Sequence, residues 1–282
     1  MSGRLMMDQT DAPAWSDDCY LLLDGLGMDV PVTAYTHDDH PIITPLFRGT
    51  RHAKLIEASP WLVKPGANGK LITQPDSWAS AGVVLYCEAG MTALANHLRS
   101  LISVKTPSEQ LAYCRFYSPG WAARLFATME QEEFAAWSGP ISRWVVQGQE
   151  GWIEYDSPLP GPARAAEDEG WYQLRKEQIE QWHLEEFELL IERAALQLGL
   201  NPEQPDYLAA RKRIEPLLLQ ARQFGFESEQ TALHYLELAW HFAPDSNTPE
   251  WVSQFADQSI SPEQRLYKAE QQLFKLDEGA SA

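Results

Sequence analysis

A chain of 282 residues with 40 Asp and Glu against 22 Lys and Arg has a net charge of −18. It lacks the concentrated basic surface that phosphate backbones and anionic headgroups demand, so nucleic acid is not an expected partner. Membrane insertion is not expected either, because no run reaches the ~20 apolar residues that span a bilayer. The length suits one large or two modest domains, and 44% hydrophobic with 11% aromatic residues supplies ample core.

Residues 1–18 are mostly polar, without a charged region followed by an apolar one, and read as a flexible N-terminus with no secretory leader. A cytoplasmic location follows as the expectation. Cys19 to Leu23 is a compact apolar run ending at Asp24-Gly25, the pattern of a buried strand. From Met28 to Lys70 the apolar stretches are divided by Pro31, Pro41, Pro45, Pro60 and Pro65, which predicts strands and loops. Val83 to Cys87 reads as a further central strand. Met91 to Val104 places apolar residues at 91, 94, 95, 98, 101 and 102, one face of a helix. Leu111 to Tyr117 returns to strand character, Gly120 to Trp137 gives one or two helices, and Ile141–Val146 with Trp152–Tyr155 gives paired strands. The mixture predicts an irregular, mixed sheet with helices.

Three prolines and acidic residues make 157–170 a linker. Beyond it the chain is helical. Ile179, His183, Phe187, Leu190, Ile191, Ala194 and Leu198 form one stripe stopped by Gly199. Asp206 is a candidate cap for the next helix, which meets Pro216, where a kink or fresh start is expected, and ends at Gly225. Ser228, Thr248-Pro249 and Ser261-Pro262 are further helix starts. The expected fold is α+β: a mixed α/β lobe over 19–156, the linker, and an all-helical lobe of about five helices over 171–276, with a flexible tail at 277–282.

Catalytic signatures are weak throughout. Gly25-Leu26-Gly27-Met28-Asp29-Val30 follows a strand, but Val30 replaces the third glycine of a dinucleotide loop and prolines follow, so a strand-exit turn is the better reading. His37-Asp38-Asp39-His40 has metal-ligand side chains on one loop with no evident partner elsewhere, which favours a solvated turn. Trp78-Ala79-Ser80-Ala81-Gly82 lacks the first glycine of a nucleophile elbow. Cys19, Cys87 and Cys114 are widely spaced in apolar runs, as buried thiols rather than zinc ligands. His97 and His183 lie on apolar faces and read as packing histidines. No catalytic residue, metal or cofactor is expected.

Four blocks remain: Pro45-Leu46-Phe47-Arg48-Gly49-Thr50, Ser59-Pro60-Trp61-Leu62-Val63, His97-Leu98-Arg99 and Arg115-Phe116-Tyr117-Ser118-Pro119. Their order and spacing resemble the N-terminal domain of the type VI secretion effector-chaperone (adaptor) family. The resemblance runs from near Tyr20 to about Lys275. It continues through Ala221-Arg222-Gln223-Phe224-Gly225-Phe226, Leu238-Ala239-Trp240, Trp251 and Ser261-Pro262-Glu263-Gln264-Arg265-Leu266. It implies a cytoplasmic, non-enzymatic protein whose partners are a cognate toxic effector and the VgrG spike onto which that effector is loaded.

Aromatic and Arg side chains are the usual anchors of protein interfaces, which marks Trp61, Arg99, Phe116 and Tyr117 as candidates for the recognition surface. Arg99 and Arg115 can orient a partner backbone or carboxylate. Arg115 equally suits an internal ion pair with Asp24 or Glu88. Two other classes stay open: a small-molecule hydrolase with dispersed residues, which requires a deep pocket and turnover, and an immunity-type protein, which requires toxin inhibition in trans.

Overall fold

The computed structural model describes residues 7–10, 13–148, 151–157, 159–205, 207–242 and 249–280. It is α+β, with a sheet-containing N-terminal region followed by a helical one, as the residue patterns predict. Two compact units meet between Gln181 and Trp182, later in the chain than the expected linker.

Among the described residues the first unit has nine strands: β1 (Met7–Thr10), β2 (Cys19–Asp24), β3 (Ile42–Pro45), β4 (Pro60–Lys64), β5 (Gly82–Tyr86), β6 (Ser103–Lys105), β7 (Leu111–Tyr113), β8 (Arg143–Gln147) and β9 (Trp152–Asp156). Seven form one sheet in the order β1-β9-β8-β5-β2-β4-β3, and β6 with β7 forms a separate ribbon. Every strand pair is antiparallel, where the sequence suggested a mixed sheet. The short turns and crossovers between these strands do not include the strand–helix–parallel-strand unit that would mix directions. Residues 7–10, assigned by sequence to the flexible N-terminus, pair as β1 against β9.

β2 is buried along its whole length because helices or loops cover both faces of the sheet. Cys19, Leu21 and Leu23 share a face with Val63, Val84, Val145 and Trp152. That face is covered by Val30 and Ala34 of helix α1 (Val30–His37) and by Leu71, Ile72 and Trp78. The opposite face carries Trp144 and Tyr155, which pack in edge-to-face contacts against Phe126 of helix α3 (Pro119–Ala127). Phe134 of helix α4 (Gln131–Ser138) meets both Phe126 and Tyr155.

Helix α1 was not expected in a proline-divided stretch. Pro31 falls in its first turn, where a missing N–H costs nothing, and Asp29 caps it by accepting the Val32 N–H at 3.1 Å. Helix α2 (Met91–Ser100) is shorter than its apolar pattern, because Leu101 and Ile102 enter the core while the chain turns into β6. Segment 157–170 packs rather than links: Ser157 is buried, and Gly161 donates to the Gly139 carbonyl.

Helix α5 (Lys176–Gln197) begins before the boundary and ends after it, and the second unit contains α6 (Tyr207–Gln223), α7 (Glu229–Phe242), α8 (Pro249–Phe255) and α9 (Pro262–Ala280). Gly199 and Gly225 stop their helices at φ +72° and +77°. Ser228 and Ser261 accept from the backbones of Thr231 and Gln264, as caps should. Helix α6 continues through Pro216 as one element. Asp206 and Thr248 lie outside the described residues.

The core of this unit is an aromatic cluster of Phe224, Phe226, Tyr235, Trp251 and Phe255. The Trp251 indole donates to the Tyr235 hydroxyl at 2.9 Å, which donates to Gln220 at 2.6 Å. Among the described residues no helix is long and apolar enough to cross a membrane.

Candidate functional site

The four blocks come together on the first unit. The backbone after β3 turns at Phe47, whose N–H is accepted by the buried Ser59 hydroxyl at 3.0 Å, while the Leu46 N–H donates to the Pro60 carbonyl. Arg99, on α2, reaches the same turn and donates from Nε to the Leu46 carbonyl at 3.0 Å. The Phe47 ring stands edge-on to Tyr113, 6.1 Å between centroids, and His52 packs against both. Tyr113 is 44% exposed, and its hydroxyl meets that of Tyr117 at 2.7 Å. Burial, followed by this shared hydrogen bond, pushes the Tyr113 phenol well above its ordinary value.

Polar side chains flank this aromatic rim on both sides. On one, Glu169 accepts from Arg51 at 2.9 Å, from Ser103 at 2.6 Å and binds His52 at 2.8 Å. Burial alone would push the Glu169 carboxyl up; the donors from Ser103, His52 and Arg51 outweigh it and hold it below the usual range. On the other side Arg115 pairs with the buried Asp24, one of the two acids considered for it. Asp24 also accepts the Leu26 N–H at 2.9 Å and so fixes the exit of β2.

That exit forms one wall of an open cleft of about 520 Å³, lined by Leu26, Met28, Pro31, Trp61, Asp29 and Glu57 among others. Gly25 is required there, because a Cβ would lie 2.3 Å from the Ser59 carbonyl oxygen and 3.3 Å from the Trp61 ring. The Gly-x-Gly element is thus a strand-exit turn, closed by the Gly27 and Met28 N–H groups on the Asp24 carbonyl.

The candidate residues divide. Trp61 is partly buried and lines the cleft; Arg99 is partly buried beside the Phe47 turn. Phe116 and Tyr117 are each 0% exposed and belong to the core, Phe116 against Trp137 and Trp144. Their expected direct contact with a partner does not fit this burial, since no ring face is open. Arg115 keeps a 43% exposed side chain beside its Asp24 pair. Arg51, His52, Ser103, Tyr113 and Glu169 were not singled out by sequence; Glu169 lay in the supposed linker, and nothing local tied it to residues some 66 and 117 positions away.

Two other sequence candidates prove structural. Asp38 is buried rather than solvated, accepting from the Gly66 and Leu71 N–H groups, while Asp39 pairs with Lys70. Among the described residues no three His, Cys, Asp or Glu side chains converge as metal ligands. All three cysteines are buried, and burial pushes the Cys19 and Cys114 thiols up to about 12.

His97 is enclosed between the Trp137 carbonyl, 2.8 Å from Nε2, and the Arg164 N–H, 3.2 Å from Nδ1. This pairing requires the neutral ring with its proton on Nε2. Burial pulls its pKa down to about 4. The free ring titrates near 6.5, so the stabilisation is complete above pH 6.5 and is lost as the pH falls from there through 4, up to about 3 kcal/mol. Urea unfolding across pH 7 to 4 should show His97→Gln losing stability less steeply than the parent, by about one proton's slope. Equal slopes would remove the buried neutral imidazole from the account.

No curated protein and no solved structure matches the chain. Residues 19–136, which supply all four blocks and most of the surface they build, match the family model described as Domain of unknown function (DUF4123), a domain family known in type VI secretion effector chaperone and adaptor proteins and not a known enzyme family.

Proposed function

We propose that this chain is a non-enzymatic effector chaperone and adaptor of type VI secretion, which binds a cognate toxic effector and helps load it onto the VgrG spike. The observation that carries the reading is that four separated sequence blocks, all inside the matched stretch, are joined by hydrogen bonds and ring contacts in one region of the first unit, which leaves Arg48, Trp61, Arg99 and Arg115 at least partly exposed. A cleft walled by Leu26, Met28, Pro31 and Trp61 suits shielding of an apolar effector segment before loading. In this reading the protein works in the cytoplasm, Trp61 and Arg99 contact the effector, and Phe116 with Tyr117 holds the strand-to-helix turn behind them.

Tagged protein should co-purify with the toxin encoded by a neighbouring gene. Deleting it should abolish secretion of that toxin while leaving secretion of unrelated effectors intact. Failure of both results would overturn the adaptor role. Neutralisation of the toxin in trans, with secretion unchanged by deletion, would replace it with an immunity role.

A further inference from the structure

The arginines of the first unit differ in how their charge is met. Arg51 has Glu169, Arg115 has Asp24, Arg143 has Glu154 and Asp156, and Arg175 has Glu133. Arg99 has none of these. Its Nε donates to the Leu46 carbonyl and its Nη1 to the Asn96 side-chain oxygen, each at 3.0 Å, and both acceptors are neutral. Arg48 stands exposed on the turn that begins at Phe47, and no carboxylate pairs with it among the described residues. Arg99 holds the Leu46 carbonyl and Arg48 follows two residues later on the same turn, so the two cations share one corner; burial and then the charge of Arg48 pull the Arg99 pKa down.

The Arg99 side chain and the backbone that carries Arg48 are held in place. Two hydrogen bonds fix Arg99, and the turn carrying Arg48 is closed by the Thr50 N–H and hydroxyl on the Phe47 carbonyl, with Gly49 at φ +77°. In a chain with 40 acidic residues, two neighbouring arginines without one are the local exception to its composition. A neutral ligand would leave their repulsion in place; an anion removes it. Planar guanidinium donors fit the two oxygens of a carboxylate.

We infer that Arg48 and Arg99 form a receptor for an Asp or Glu side chain of the bound polypeptide, which therefore presents an acidic residue to this corner despite the negative charge of the whole chain. The inference deepens the adaptor reading and rests on a protein ligand. It also separates Arg99, whose two acceptors are neutral, from Arg115, whose Nη2 already holds the Asp24 carboxylate.

The test uses the full chain with nitrogen-labelled arginine side chains, followed by NMR. The probes are an acetylated, amidated hexaglutamate peptide, its hexaglutamine counterpart and methyl phosphate. Overall repulsion opposes the glutamate peptide, so a response confined to one corner is diagnostic. The glutamate peptide should shift the Arg48 and Arg99 signals and leave Arg143 and Arg175 unmoved, while the glutamine peptide shifts neither pair. Arg48→Gln, a change on an exposed turn, should weaken that binding about fivefold or more. Equal responses to the two peptides, or none at Arg48 and Arg99, would overturn the receptor. Binding of methyl phosphate without binding of the glutamate peptide would also overturn it, in favour of a phosphate site. If the peptide seats as described but no effector co-purifies, the receptor stands and the adaptor reading falls.

Discussion

Replacing Arg265 by Met should destabilise the second unit by about 3–6 kcal/mol, the loss of two charge-assisted hydrogen bonds at about 1.5–3 kcal/mol each. Arg265 is 3% exposed, and its Nη1 donates to the carbonyls of Phe224 and Phe255, each at 2.7 Å. Those carbonyls stand just past the end of α6 and at the end of α8, where helices leave acceptors without intrahelical partners and a cation is favoured by the aligned dipoles. The guanidinium also stacks 4.8 Å from the Phe226 ring. Met retains comparable bulk, so the loss reports the orphaned carbonyls rather than a cavity. Lys, a point donor without the planar fork, should recover only part of it. Domains are stable by about 5–15 kcal/mol, so a change of this size brings the unit close to unfolding at 37 °C. Hydrogen exchange should show α8 and the start of α9 losing protection while the sheet of the first unit keeps its own. A loss below about 1 kcal/mol would mean that water or rearranged backbone serves these carbonyls as well as Arg265 does.

The same residue shows what the sequence makes legible. Ser261-Pro262 announces a helix start through local chemistry, and the cap is there. That the arginine four residues on turns inward to close two other helices depends on residues 10 and 41 positions away, which no periodicity encodes. The elements of the sheet follow a similar division. β2, β5 and the pair β8–β9 are visible because buried strands concentrate β-branched and aromatic residues. Their antiparallel order is not, since strand direction belongs to the connections. Helix α1 was hidden because proline reads as a breaker, although in the first turn of a helix it is permitted.

At the site, the four blocks were visible as blocks, and their convergence was not. Trp61 and Arg99 are partly exposed, whereas Glu169 enters the His52 cluster from a stretch whose prolines and acidic residues imitate a linker. Residue type alone could not separate Tyr113, which is exposed, from Tyr117, which is buried and touches it. Both are tyrosines in one short segment, and the turn between β7 and α3 sends one outward and the other under the sheet.

This distinction gives Phe116 a clear expectation. Phe116→Ala should cost the first unit about 3–5 kcal/mol, the usual loss for emptying a fully buried phenylalanine site. The ring stands edge-on to Tyr117, Trp137 and Trp144 at 5.7, 5.8 and 6.3 Å, so three large neighbours would border the cavity and cannot all relax into it. Phe116→Leu, which fills most of the volume, should cost much less, about 1–2 kcal/mol. If the ring serves packing alone, the folded fraction of either variant at low temperature should bind partner with unchanged affinity, and the apparent loss at 37 °C should track the loss of folded protein. A direct anchor gives the opposite pattern, with stability preserved and affinity reduced. Thermal unfolding and binding measured on the same Phe116→Leu sample separate the two, because that variant remains folded under conditions where binding can be titrated. Parent-like stability with weakened binding would return Phe116 to the recognition surface and require the turn at Ser118 to open when the partner arrives.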